Sequence, residues 1–158
     1  MLAAGLAAIV AGAGPTCPVE LFRITRSGSQ NVVLYEVDRP AGGDEGAPIH
    51  ASWRLHDEDG RREELNAAER VFAYGFEATR TPEGIRLALR ADRTRPIDLR
   101  EHAGCLRAFR MIGERPALLD RIHVEVRGGF PFFQVKWVDV LGTDPETGRP
   151  LSERIVPD

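Results

Sequence analysis

Apolar and polar positions alternate with period two through most of this chain. Ile49, Ala51, Trp53 and Leu55 fall on one side of an extended segment, and His50, Ser52 and Arg54 on the other, which predicts a half-buried strand. The same alternation sets Ile85, Leu87 and Leu89 against Arg86, Ala88 and Arg90, and it aligns Ile122, Val124 and Val126 in one inward row. Residues 21–26 and 32–37 are apolar runs joined by Ser27-Gly28-Ser29-Gln30-Asn31, a turn-rich connection that predicts a hairpin. A long solvated loop is expected from Asp38 to Pro48, and a turn over Asp57–Arg61. Further strands are expected over 76–79, 85–91, 97–100, 106–112, 118–126, 132–141 and 151–156. Turns at Pro82-Glu83-Gly84, Gly113-Glu114-Arg115-Pro116, Gly128-Gly129 and Gly142–Pro150 punctuate them. Turn signals recurring every ten residues or so predict a mostly β fold: an antiparallel β-sandwich or barrel of about eight strands with one short α-helix packed on it.

The helix is expected within Glu63–Phe76, the one stretch that carries helical punctuation. Asn66 suits the N-cap and Glu69 stands where a capping-box partner returns to the cap N–H. Gly75 is read as a positive-φ stop. Ala68, Val71 and Phe72 form an apolar stripe at helical spacing that should dock on the sheet. Two or three turns do not hold in water alone, so packing is expected to keep them.

With 158 residues the chain supports one domain with a real core. Hydrophobic content of 42% and charged content of 28% exclude global disorder. The net charge of −3 comes from interspersed acids and bases, and no basic stripe is present, so nucleic acid is not an expected partner. Residues 1–14 (MLAAGLAAIVAGAG) are apolar and too short for a helical bilayer span, so no integral membrane span is expected. They read as a signal-peptide remnant with a small-x-small site at Ala11-Gly12-Ala13, although a basic leader is missing. Residues 15–158 then form a single β-rich domain that is periplasmic or secreted, and cytoplasmic if the apolar segment is not cleaved. Cys17 and Cys105 allow one long-range bridge, but two unrelated thiols are the slightly favoured reading. Two cysteines and four scattered histidines offer no standard zinc spacing, and no cofactor is expected.

Candidate chemistry is sparse. Arg26, Arg70 and Lys136, the only lysine, are candidates for a cationic grip on a carboxylate or phosphate, set against the ordinary reading of solvated surface charges. Tyr35, Trp53, Tyr74 and Trp137 either line an apolar pocket with polar tips or fill the core. His50, His56, His102 and His123 are dispersed. Ser27 and Ser52 lack a nucleophile-elbow pattern, and Asp57-Glu58-Asp59 lacks the ligand spacing of a calcium loop. Asp120, Glu125 and Asp139 are candidate acid–base carboxylates only if the fold gathers them.

The order of several blocks resembles a known group. Leu21-Phe22-x-Ile24-x-Arg26-Ser27 precedes Asn31-Val32-Val33-x-Tyr35, followed by Pro48-Ile49-x-x-x-Trp53. Glu64-Leu65-x-x-x-Glu69-Arg70-x-x-Ala73-Tyr74-Gly75-Phe76 and Gly142-Thr143-Asp144-x-x-Thr147-Gly148 complete it. Over about residues 20–155 this resembles the domain-of-unknown-function 4833 family of bacterial proteins, whose members often carry export signals. The resemblance implies export and a single domain and no particular activity. The leading expectation is therefore non-covalent binding of a small anionic or amphipathic ligand, or of a cell-envelope component. Arg26, Asn31, Tyr35, Trp53, Arg70, Tyr74 and Lys136 are its candidate contacts. The alternatives are a hydrolase with a carboxylate or histidine site assembled by the fold, and a structural module that pairs through a strand edge.

Overall fold

The computed structural model describes residues 16–38, 49–129 and 131–158. The signal-like segment and nearly all of the expected loop before Ile49 lie outside the described residues. Four strands open the fold as an antiparallel meander: β1 (Glu20–Arg26), β2 (Val32–Val37), β3 (Ile49–Leu55) and β4 (Arg61–Glu64). After α1 (Ala67–Phe72), a second antiparallel run comprises β5 (Phe76–Thr81), β6 (Gly84–Leu89), β7 (Asp92–His102), β8 (Cys105–Ile112) and β9 (Arg115–Arg127). A hairpin of β10 (Gln134–Thr143) and β11 (Pro150–Ile155) ends the chain.

The long strand β9 joins these parts. Along one edge, its residues 115–118 pair with β8, and its residues 121–124 pair in parallel with Arg23–Arg26 of β1. The other edge carries β10 over almost its full length. All eleven strands among the described residues therefore belong to one sheet, curled into an open half-barrel in which β4, β5 and β11 are each paired along one edge only. This corrects three expectations. The sheet is neither a sandwich nor a closed barrel, and among the described residues it has eleven strands rather than about eight and contains one parallel pair. The additional strand β4 is entirely charged (Arg-Arg-Glu-Glu) and shows no alternation. The parallel pairing joins residues about a hundred positions apart, which no local pattern displays.

The core forms where the first meander faces the second meander and β10 across the curl. Phe22, Ile24, Val33 and Tyr35 meet Leu87, Ile97, Leu99, Leu119 and Val140. The inward row of β6 is Ile85, Leu87 and Leu89, as the alternation predicts. In β3 the other side is not simply solvated, since Ser52 is fully buried. Cys17 and Cys105 form a disulfide with Cα atoms 5.3 Å apart, which corrects the favoured reading of two unrelated thiols. No helix among the described residues is long and apolar enough to cross a membrane.

The helix matches its expected cap and departs elsewhere. Asn66 Oδ1 accepts from the Glu69 N–H, and the Glu69 carboxylate accepts from the Asn66 N–H, both at 2.9 Å. Glu63 and Glu64 belong to β4 rather than to the helix. The stripe does not dock: Val71 is exposed and Phe72 is 80% exposed. Packing instead holds the flanks, with Leu65 buried on one side and Tyr74 and Phe76 against the core on the other. Gly75 does not act through a positive φ. A Cβ there would lie 1.8 Å from the Arg70 carbonyl oxygen, so glycine is needed for close backbone approach.

Candidate functional site

The concave side of the half-barrel encloses a cavity of about 640 Å³. Ile122, Val124 and Val126 of β9 face it because alternate residues of a strand share one side. Val135 and Val138 of β10 also face it, although a regular strand would send residues three apart to opposite sides. Pairing of Val135 with Val126 and of Trp137 with Glu125 leaves Lys136 as an extra residue, and this bulge resets the alternation. Trp53 and Tyr74 form the facing wall, packed edge to face at 5.1 Å. Tyr35 lies beneath them, stacked on Phe22 at 4.3 Å, and its hydroxyl donates to the Tyr74 carbonyl at 2.7 Å. Burial raises the hydroxyl pKa of Tyr35 and, against the opposing influence of Arg26, that of Tyr74.

Charge enters this apolar space at two places. At one, the Arg26 guanidinium lies 4.5 Å from the centroid of the Phe133 ring. At the other, Arg110 projects from β8 with its side chain only 3% exposed, and its Nη2 donates to Asp92 Oδ2 at 3.0 Å. Burial pushes the Arg110 pKa down, opposed by Asp92, but arginine remains a cation in proteins. The Arg95 guanidinium reaches the same carboxylate at 3.9 Å. Three arginines and one aspartate thus border the cavity. Behind Arg95 and Arg110 lies a second, more polar hollow of about 440 Å³, where Arg86 and Arg100 are joined by Asp98 and Glu153 and Arg86 pairs with Asp98 at 2.8 Å.

Of the residues singled out from sequence, Arg26, Asn31, Trp53 and Tyr74 line the cavity. Asn31 also pins the turn after β3, its Oδ1 accepting from the Asp57 N–H at 3.3 Å. Tyr35 supports the wall without lining it. Arg70 is turned toward Glu64, 3.7 Å away, and Lys136 lies exposed over the Trp137 ring at 5.0 Å; neither lines the cavity. Trp137 itself donates to Asp139 at 3.2 Å, beside the Arg154–Asp139 pair. Asp92, Arg95, Arg110 and Phe133 are bordering residues that sequence reasoning does not reach. For Arg110 a signal exists, because it shares its strand parity with buried Ala108 and Ile112. An arginine in an apolar row is the pattern of a buried charge.

A model of the family described as Domain of unknown function (DUF4833) matches residues 22–154. The chain belongs to that family. The DUF4833 match runs from within β1 to within β11, so it takes in both meanders, the helix and most of the cavity wall. No curated protein and no solved structure matches the chain.

The fold also gathers a polar line that the sequence leaves dispersed. Thr25 and His123 are register partners in the parallel pair, with Oγ1 and Nδ1 2.8 Å apart, and the Glu125 carboxylate lies 3.5 Å from the other ring nitrogen. Thr25 alone of the three borders the cavity.

Proposed function

We propose that this protein binds, without covalent chemistry, a single-chain amphipathic anion such as a long-chain carboxylate or alkyl phosphate. The chain lies along Ile122, Val124 and Val126, and the charged end meets Arg110 and Arg95. The observation that carries this reading is Arg110, a nearly enclosed cation at an apolar cavity. Its guanidinium has five N–H donors, and the hydrogen bond to Asp92 uses one of them. A planar fork of this kind suits carboxylate and phosphate oxygens. The volume of about 640 Å³ falls within the roughly 300–1,000 Å³ typical of small-molecule sites. The disulfide supports an exported setting, where such bridges persist.

Titration calorimetry with palmitate, hexadecanol and hexadecylamine tests the proposal. Palmitate should bind one-to-one, and the alcohol and amine roughly 10- to 100-fold more weakly, the worth of a charge-assisted hydrogen bond. Arg95→Ala should weaken palmitate by about tenfold, and Val126→Trp should fill the channel and abolish binding. Equal affinity for all three compounds, or no binding of any, overturns the reading.

A further inference from the structure

Eight large apolar side chains are exposed among the described residues. Scattered singly they would need no explanation. Six of them instead line or adjoin the cavity wall. Phe133 and Val135 line it, Phe132 precedes them, Val156 lies between the lining residues Ile155 and Pro157, and Val71 and Phe72 precede the lining residues Ala73 and Tyr74. Strand pairing brings most of these to one end of the half-barrel. The ends of β1 and β9, the start of β10 and the end of β11 coincide there, as Arg26 pairs with Val124, Val124 with Val138, and Val138 with Ile155.

Arg26, Arg127 and Lys136 flank the Phe132–Phe133 segment at that end. None of the three forms a salt bridge among the described residues, in a protein whose net charge is −3. Exposed aromatic tips beside unpaired cations are complementary to an interface of acyl chains under anionic headgroups. We infer that this rim docks on an anionic lipid surface, with Phe72 and Phe132 entering the headgroup region. The inference rests on the amphiphile-binding reading, because it places the open end of the cavity where such a ligand resides.

Co-sedimentation of the full chain with vesicles tests it, using phosphatidylcholine alone and phosphatidylcholine with added phosphatidylglycerol. The protein should sediment with the anionic vesicles. Arg127→Ala with Lys136→Ala should weaken that association by about tenfold or more, and Phe72→Ser with Phe132→Ser should abolish it. All four positions are exposed, and both double variants should keep palmitate binding unchanged. Palmitate binding without vesicle association overturns the docking surface and leaves the ligand reading intact. Vesicle association without palmitate binding supports the surface and removes the ligand reading. A dimer that the phenylalanine variants dissociate also overturns the inference, since a second copy then covers the rim.

Discussion

Ser52 and Arg110 are both polar and both buried, yet different consequences follow. The Ser52 hydroxyl finds no hydrogen-bond partner among the described residues, so it contributes desolvation cost without return. Ser52→Ala should leave stability unchanged or raise it by about 1 kcal/mol in urea unfolding; a clear loss would mean that the hydroxyl is satisfied. Tyr35 is the opposite case. Tyr35→Phe removes the hydrogen bond to the Tyr74 carbonyl and should cost about 1 kcal/mol. At this scale the sequence was informative wherever side-chain type limits the surroundings, as with Trp53 and Tyr74. Type did not settle position, however: Tyr35 and Tyr74 are the same residue type, yet one supports the wall and the other lines it.

Elements were legible in proportion to the regularity of their alternation. Strand β6 reads directly from Ile85, Leu87 and Leu89, whereas β7 extends far beyond the expected 97–100. Pro96 and a run of polar residues hide it, and its first half meets β6 through a register shift between Leu87 and Leu89. The cap of α1 was legible because Asn66 and Glu69 act locally, but the exposure of Phe72 depends on where the sheet leaves room. The β10–β11 turn shows what local chemistry alone can fix. Asp144 Oδ1 accepts from the Glu146 and Thr147 N–H groups at 2.8 and 3.1 Å, and these bonds hold its carboxyl below the usual carboxylate range. A carboxyl whose folded pKa is depressed stabilises above its unfolded value, about 3.9, and loses that contribution as pH falls through the folded value. Asp144→Asn keeps an acceptor oxygen without the charge. The difference in urea midpoint between wild type and variant should therefore be largest above about pH 4 and close under stronger acid.

For the whole molecule, the open half-barrel explains how a chain of this size keeps both a core and a cavity. The two meanders bury apolar rows against each other, and the β9–β10 hairpin continues past that contact with a concave side that Trp53 and Tyr74 face across the cavity. Mostly β character was legible in the strands; openness was not, because closure depends on whether the ends of the strand order meet, and β4 and β5 at opposite ends of it do not pair. The disulfide ties the segment before β1 to the start of β8 across 88 residues. Cys17→Ser with Cys105→Ser should lower unfolding free energy by roughly 2–5 kcal/mol, with a matching fall in Tm by calorimetry.

The parallel pairing of β1 with β9 also sets an order of events during synthesis. Arg23 leaves the ribosome 98 residues before its partner Arg121 (121 − 23). At roughly 5–20 residues per second, the outer edge of β1 stays bare for about 5–20 seconds while the second meander is still being made. The first meander therefore spends that interval as a small sheet with the backbone N–H and C=O groups of Arg23–Arg26 unpaired, an edge inclined to pair with a neighbouring chain. Refolding of the finished polypeptide starts with both partners present, and so should show less concentration-dependent loss than the newborn chain.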